Sequence, residues 1–87
     1  MLDINLCEEI IYNVLNDANI DDKNYIFDEY NSDLDRLYIT IDNEEYCIRM
    51  WNISESGRID YTLYKLVEDK GEEIESGYNY ISVNGRL

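Results

Sequence analysis

Histidine is absent from this chain of 87 residues. Its absence removes the commonest general base, the commonest metal ligand and every nucleophile that a histidine activates. The glycine-rich phosphate loops G-x-G-x-x-G and the P-loop are also missing, as is the G-x-S-x-G element of serine hydrolases. Carboxylate pairs are plentiful, but a glycosidase also needs a cleft, which a thin sheet rarely offers. We therefore expect no enzymatic activity and no cofactor.

Long apolar runs are absent as well. No stretch of about 18 apolar residues is present, so we expect no membrane span. The opening residues MLDINLCEEI have neither the basic nor the apolar region of an export signal. The two cysteines, Cys7 and Cys47, lack C-x-x-C spacing, and we expect both thiols to be buried as small apolar groups in a reducing compartment. The alternative is a disulfide between them.

Cationic side chains are scarce. Lys and Arg number 7 against 20 Asp and Glu, which gives a formal net charge of −13. Such a charge repels DNA, RNA and anionic membranes, so we expect no direct nucleic-acid binding and a basic protein surface as the partner. The hydrophobic content of 45% is ordinary for a globular protein. A chain of this length has room for one domain, residues 1–87, with one sheet and one helix.

The segment 36–53 predicts the centre of the fold. It consists of two alternating runs that meet at an Asp/Asn-rich turn, which is the pattern of a β-hairpin. A loop at Asn43-Glu44 makes every pair on one face apolar, with Ile41 opposite Tyr46, Ile39 opposite Ile48 and Leu37 opposite Met50. The other face then pairs Tyr38 with Arg49 and Thr40 with Cys47. A slip of one residue would turn one apolar set into water.

The flanking segments predict a helix before this hairpin and more strands after it. Apolar residues at helical spacing predict a helix over 3–18 with Asp3 as its N-cap. Segment 25–30 is either an edge strand, with Tyr25 and Phe27 pointing inward, or a short helix. The run 58–67 predicts a strand with Tyr61 opposite Met50 and Leu63 opposite Ile48, and with Asp60 and Thr62 outward beside Trp51 and Arg49.

The end of the chain predicts one further strand. A turn over 68–72 leads to a strand from about Ile74 to Val83, with a bulge at Gly77 because the apolar positions change parity there. Residues 84–87 are typical of a turn or a frayed tail. The expected fold class is α+β, with one N-terminal helix packed on a three- to four-stranded antiparallel meander sheet.

One acidic segment partly matches the pattern of a calcium-binding loop. Asp17, Asn19, Asp21 and Asp28 occupy positions 1, 3, 5 and 12 of such a loop, and a helix precedes them. Three features depart from the pattern: Asp22 replaces the glycine of position 6, Asn24 replaces an apolar residue, and position 12 is Asp rather than Glu. The pattern therefore favours an acidic connecting loop, and no metal ion is expected.

The acids are concentrated in the 17–35 loop and in two predicted turns, which an up-and-down meander places at the same end of the sheet. Carboxylates spaced in this way can occupy the positions of phosphates in a groove lined by Lys and Arg. The alternative is that the acidity confers only solubility. The candidate partner-binding residues are Asp21, Asp22, Asp28, Glu29, Asp33, Asp35, Asp42, Glu44, Glu45, Glu68, Asp69, Glu72 and Glu73. A second candidate surface is the outer sheet face with Tyr38, Arg49, Trp51 and Tyr64, residue types that interfaces favour.

In its length, its acidity, its opening helix followed by a short antiparallel sheet, and its acidic turns 42–46 and 54–57, the chain resembles the small phage-borne anti-CRISPR proteins. The resemblance implies a stoichiometric inhibitor that acts in the cytoplasm of a bacterial host. Such an inhibitor binds a CRISPR effector nuclease and occupies the site for target DNA or for the PAM, which effectors read with Arg and Lys.

Two other functions stay open at this point. The first alternative is an immunity protein or antitoxin that neutralises a cationic nuclease by the same electrostatic attraction. The second is an adaptor that binds a partner through its outer aromatic face. A monomer and a homodimer paired through an edge strand are both compatible with the sequence.

Overall fold

The computed structural model describes residues 3–21, 24–54 and 56–81, which form one helix and one antiparallel sheet. The sheet has five strands in the order β1-β2-β3-β4-β5, so neighbours in sequence are neighbours in space. The elements are α1 (Ile4–Asp17), β1 (Ile26–Phe27), β2 (Arg36–Ile41), β3 (Glu44–Ile53), β4 (Arg58–Val67) and β5 (Lys70–Tyr80). The predicted α+β fold with an N-terminal helix is confirmed. The sheet has five strands rather than three or four, because segment 25–30 contributes a two-residue edge strand.

Helix α1 begins and ends at residues suited to those positions. The Asp3 carboxylate accepts a hydrogen bond from the Leu6 amide at 3.2 Å, as predicted for the N-cap. At the other end Asn19 is left-handed, with a φ of 58°. The amide of Ile20 donates to the Leu15 carbonyl and that of Asn19 to the Asn16 carbonyl, which together form a Schellman motif. The helix therefore stops at a specific cap and the chain turns back toward the sheet.

The core lies between α1 and one face of the sheet, here called the inner face. The buried helix residues are Cys7, Ile10, Ile11, Val14 and Leu15. The buried residues of the inner face are Leu37, Ile39, Ile41, Tyr46, Ile48, Met50, Ile59, Tyr61 and Leu63. Fully burying one Leu or Ile side chain stabilises the fold by roughly 1.5–3 kcal/mol, so this single layer supplies most of the driving force. The predicted pairs Ile48 with Leu63 and Met50 with Tyr61 are confirmed.

The first hairpin differs from its predicted register by two residues. Its loop is Asp42-Asn43, with φ angles of 50° and 67°, rather than Asn43-Glu44. Asp and Asn tolerate two successive left-handed positions better than Glu, and such two-residue loops match the twist of the strands. The pairs are therefore Ile41 with Glu44, Ile39 with Tyr46, Leu37 with Ile48, Tyr38 with Cys47, Thr40 with Glu45 and Arg36 with Arg49. Since a slip of two residues preserves parity, the predicted inner face is correct although the predicted pairs are wrong.

A bulge interrupts the pairing of β3 with β4. The register shifts between Met50 and Asn52, so Trp51 has no partner and Asp60 pairs with Asn52. The prediction that Asp60 lies beside Trp51 is therefore wrong, whereas Thr62 does pair with Arg49. Thr62 is on the predicted outer face but is only 7% exposed, and its hydroxyl lies 2.7 Å from that of Ser76 on the neighbouring strand.

Strand β5 begins earlier than predicted and has its bulge at another residue. The turn after β4 is only Glu68-Asp69, with φ angles of 51° and 64°, so β5 starts at Lys70 rather than near Ile74. Leu63 pairs with Glu75 and Tyr64 with Glu73, which makes Ile74 the extra residue. Gly77 instead pairs with Tyr61. The predicted end of this strand at Val83 and the tail 84–87 lie outside the described residues.

The remaining expectations concern the edge segment and the cysteines. Tyr25 and Phe27 pack against the core, as predicted for the strand alternative. Cys7 and Cys47 are both free and buried, and burial raises the pKa of both thiols. Within the described part of the chain, no helix is long and apolar enough to cross a membrane.

Candidate interaction surfaces

The first and third sheet turns lie side by side at one end of the sheet. Lys65, Leu66 and Glu68 from the β4–β5 side line one open depression of about 530 Å³ together with Asn43 and Glu44 from the β2–β3 side. All seven carboxylates around these turns are exposed. They form the acidic rim, which we define as Asp42, Glu44, Glu45, Glu68, Asp69, Glu72 and Glu73.

Few cations balance the acidic rim. Lys65 donates to Glu44 at 3.0 Å, and this contact lowers the pKa of the Glu44 carboxyl and raises that of Lys65. Glu72 is the register partner of Lys65 on its other side and also raises the pKa of that lysine. Lys70 begins β5 and is exposed. Among the residues that the structure describes, the seven carboxylates thus meet two lysines, and this part of the rim is strongly anionic.

The turn geometry accounts for only part of this acidity. Asp42 and Asp69 occupy left-handed positions that Asp tolerates. Glu68 also has a left-handed φ of 51°, where Gly or Asn is the usual choice. The backbone conformation therefore does not favour glutamate at position 68. Gly or Asn would suit this conformation better but would remove the negative charge.

The acids of the 21–35 loop are distributed differently from the prediction. Asp28 lines a depression of about 400 Å³ together with Glu45, so it lies close to the acidic rim. Asp33 and Asp35 instead precede β2, at the end away from the first turn, and the Asp35 carbonyl accepts from the Met50 amide. A six-residue strand of about 20 Å separates them from that turn. The structure therefore does not bring them together with the rim.

Several of these loop carboxylates also hold local structure. Asp28 accepts from the backbone and side-chain nitrogens of Asn31 at 3.2 and 2.8 Å. Asp33 accepts from the Asp35 and Arg36 amides at 2.8 and 3.1 Å. Glu29 and Asp21 are exposed, the former close enough to Cys7 to raise its pKa. Asp22 lies outside the described residues.

The predicted second surface occupies the outer sheet face, but its residues fall in two depressions. Tyr38 and Tyr64 flank Cys47 in register and, with Arg49, line a depression of about 360 Å³. Trp51 is 61% exposed. It lies in the neighbouring depression of about 300 Å³, which also contains Asp33 and Asp35.

Arg36 also belongs to this surface, although it is not among the residues predicted for it. Arg36 lines both depressions and is the register partner of Arg49. Because Arg36 has the same strand parity as Tyr38, the alternation of β2 could have identified it.

A polar cluster at the edge of the core was not foreseen. The Tyr61 side chain is 1% exposed, and its hydroxyl lies 3.3 Å from Asp17 Oδ2 and 3.2 Å from Glu75 Oε2. Asn79 donates to the same Asp17 oxygen at 3.2 Å, and the Asn79 Oδ1 atom is buried with no hydrogen-bond partner among the described residues. This cluster ties the end of α1 to β4 and β5.

The geometry gives no metal centre in the described ranges 3–21, 24–54 and 56–81, where no group of three or more His, Cys, Asp or Glu side chains is placed to hold an ion. The Asp17 carboxylate, position 1 of the compared calcium loop, instead accepts from Tyr61 and Asn79.

Comparison with protein-family models, with curated proteins and with solved structures found no match to this chain.

Proposed function

We propose that the protein is a stoichiometric inhibitor that binds a basic nucleic-acid-binding surface of another protein through its acidic rim. The observation that carries the proposal is the side-by-side position of the two acidic turns at one end of the sheet. In this proposal, their carboxylates take the place of DNA phosphates against Lys and Arg of the partner. A CRISPR effector nuclease is the partner class that the resemblance to anti-CRISPR proteins implies.

The spacing within the rim favours joint action of the two turns. Neighbouring strands lie about 4.8 Å apart, so the two hairpin turns are separated by roughly 10 Å, or two strand spacings. The Debye length at physiological ionic strength is about 8 Å. Because the separation exceeds this length, each turn attracts mainly the cations directly opposite it. A groove lined with Lys and Arg over roughly 10 Å can meet both turns at once.

The self-repulsion of the rim supports a role in binding. Carboxylates gathered at one end raise the free energy of the folded chain, and solubility alone would be served as well by acids spread over the surface. Bringing a Lys- and Arg-lined groove against the rim removes this repulsion. Complexes of this kind form quickly at low salt and weaken as the salt concentration rises.

The test is inhibition of a purified, guide-loaded CRISPR effector nuclease, with cleavage of target DNA as the readout. The variant D42K/E44K/E45K is expected to weaken inhibition at least tenfold, and excess target DNA is expected to compete with the unmodified protein. The matched control E8K/E29K/D35K makes the same change in net charge at exposed acids outside the rim. Circular dichroism verifies that both variants fold.

Two results would contradict the proposal. Equal loss of inhibition in both variants would show that net charge matters and the rim does not. Full inhibition by the rim variant, unchanged between low and high salt, would place the contact on another surface. If effector nucleases are unaffected while a cationic nuclease toxin is inhibited in a rim-dependent way, the protein is an immunity protein or antitoxin with the same mechanism.

A second candidate function is an adaptor that binds through the outer sheet face. The observation that favours it is that α1 covers only the inner face, which leaves Trp51 and Arg49 exposed on the other. Trp, Tyr and Arg are the residues that contribute most to interface energies. For this function W51A abolishes partner binding, whereas the rim variant D42K/E44K/E45K leaves it intact.

A further inference from the structure

The two arginines at the start of β2 and in β3 form an unusual pair on the outer face. Arg36 and Arg49 are direct cross-strand partners, so their Cβ atoms lie about 5 Å apart. Like charges in this position destabilise a sheet. Neither guanidinium has a carboxylate oxygen within 4.0 Å among the described residues, although acids outnumber bases in this chain.

Two other cations of the sheet have carboxylate partners. Arg58 forms an ion pair with Asp60 at 3.2 Å and lies over the Tyr78 ring, with 4.1 Å between its Cζ atom and the ring centroid. Lys65 is paired with Glu44. Within the described part of the chain, Arg36 and Arg49 share the lack of a carboxylate partner with Lys70 of β5. They differ from Lys70 because they are direct cross-strand partners of each other.

The surroundings of the pair indicate what kind of anion it accepts. The two arginines stand between the depression with Tyr38 and Tyr64 and the depression with Trp51. Two guanidinium groups that line the same depression are suited to the oxygens of a phosphate group, and an exposed indole offers a flat face for an aromatic ring.

The wider charge distribution limits the size of this anion. Asp33 and Asp35 line the same depression as Trp51, and the net charge of −13 acts against long polyanions. Carboxylates beside the site accept hydroxyl and amino donors but repel further phosphates. A ligand with one phosphate group and with hydrogen-bond donors elsewhere therefore fits better than a nucleic-acid strand.

We propose that the outer sheet face binds a nucleoside monophosphate, with Arg36 and Arg49 on the phosphate and Trp51 against the base. Asp69 of the acidic rim lines one of the two depressions beside the arginines, but the site does not depend on the function proposed above.

Trp51 is the only tryptophan of the chain and therefore reports on the site. The experiment titrates the protein with adenosine monophosphate and follows Trp51 fluorescence and the melting temperature. Quenching and a rise in melting temperature are expected at millimolar ligand or below. R36Q and R49Q are each expected to weaken binding at least tenfold, while R58Q, which removes a paired arginine, keeps the affinity within twofold.

A structural readout separates loss of the site from loss of the fold. Since each substitution removes a like-charge neighbour, R36Q and R49Q without ligand are expected to melt no lower than the unmodified protein. Inorganic phosphate is expected to compete through the same arginines, at least fivefold more weakly than adenosine monophosphate.

Three results would overturn the proposal. The first is the absence of any response to adenosine monophosphate at 10 mM, a concentration that would detect roughly millimolar affinity. The second is a response that persists in R36Q and R49Q. The third is binding of uncharged adenosine as tight as that of the monophosphate, which would assign the site to Trp51 alone.

Discussion

Tyr61→Phe tests the link between the end of α1 and the sheet. The hydroxyl lies 3.3 Å from one carboxylate and 3.2 Å from another but has a single proton to donate. A hydrogen bond to a charged group is worth about 1.5–3 kcal/mol. Because Asp17 is exposed and Glu75 is half-buried, water partly replaces the lost donor. We therefore expect the substitution to lower the free energy of unfolding by about 1–2 kcal/mol at pH 7.

The pH dependence makes this prediction specific to the hydroxyl. Burial, followed by the charges of Asp17 and Glu75, raises the pKa of Tyr61 far above its ordinary value of 10.0. Below pH 10 both the folded and unfolded states hold the proton, and the contribution is complete. Above pH 10 the unfolded chain releases it while the folded chain retains it, so the unfolding free energy falls by about 1.4 kcal/mol per pH unit.

Tyr61→Phe lacks this titration, so the difference between the two proteins should close near pH 11. Urea unfolding followed by circular dichroism at pH 7, 9, 10 and 11 measures the difference. Tyr30→Phe is the control, because Tyr30 is 95% exposed and its loss should leave stability unchanged at every pH. A Tyr61→Phe difference that stays constant to pH 11 would refute the reasoning, since the hydroxyl would then ionise alike in both states.

Three smaller perturbations test the cap, a turn and the rim. Asp3→Ala removes the N-cap acceptor of α1 and should cost about 1 kcal/mol, measured by urea unfolding, whereas Asp3→Ser should restore most of it. Glu68→Gly relieves a left-handed glutamate and should raise the melting temperature by a few degrees, since about 1 kcal/mol corresponds to roughly 4–8 °C in a domain of this size. Lys65→Met removes the partner of Glu44 and should raise the pKa of Glu44 toward its ordinary value, observed by NMR titration of the carboxyl carbon.

Each of these expectations has a contrary outcome. Unchanged stability in the Asp3 variant would mean that solvent satisfies the first helical amides as well as the carboxylate does. A lower melting temperature after the Glu68 substitution would mean that the glutamate side chain makes a stabilising contact in the turn. A Glu44 titration that is indifferent to Lys65 would mean that the ion pair is not populated in solution.

The inner face could be read from the sequence because it depends on parity alone. Ile39 and Ile48 face the helix in the predicted register and in the observed one, although they are partners only in the former. The choice between registers depended on the turn. Apolar pairing favoured a loop at Asn43-Glu44, but the backbone preference of Asp42-Asn43 for left-handed angles prevails.

The candidate surfaces were predictable to the extent that topology alone defines them. An up-and-down meander places alternate turns at one end, and this is why the two acidic turns of the rim meet. The positions of Asp33 and Asp35 depend on the conformation of a loop whose sequence has little periodicity. In the structure, hydrogen bonds from the Asp35 and Arg36 amides to the Asp33 carboxylate fix this conformation. The pairing of Arg36 with Arg49 depends on the register of the first hairpin. Because the predicted register was wrong by two residues, it paired Arg49 with Tyr38 instead.

The bulge at Ile74 determines which side chains of β5 point to the inner face and which point to the outer face. It therefore explains both the polar cluster at the end of α1 and the wrong prediction for β5. Without an extra residue there, Ile74 would pair with Leu63 on the inner face and Glu75 would pair with Thr62 on the outer face. With it, Glu75 and Asn79 take the inner positions, where Tyr61 and the end of α1 supply partners. Tyr78 and Tyr80 turn outward, where Arg58 lies over the Tyr78 ring. Ile74, an apolar residue at the sheet edge, is thus 42% exposed, while polar side chains fix the end of the helix. The periodicity of β5 alone could not predict this arrangement, because the bulge is defined only by the pairing of β5 with β4.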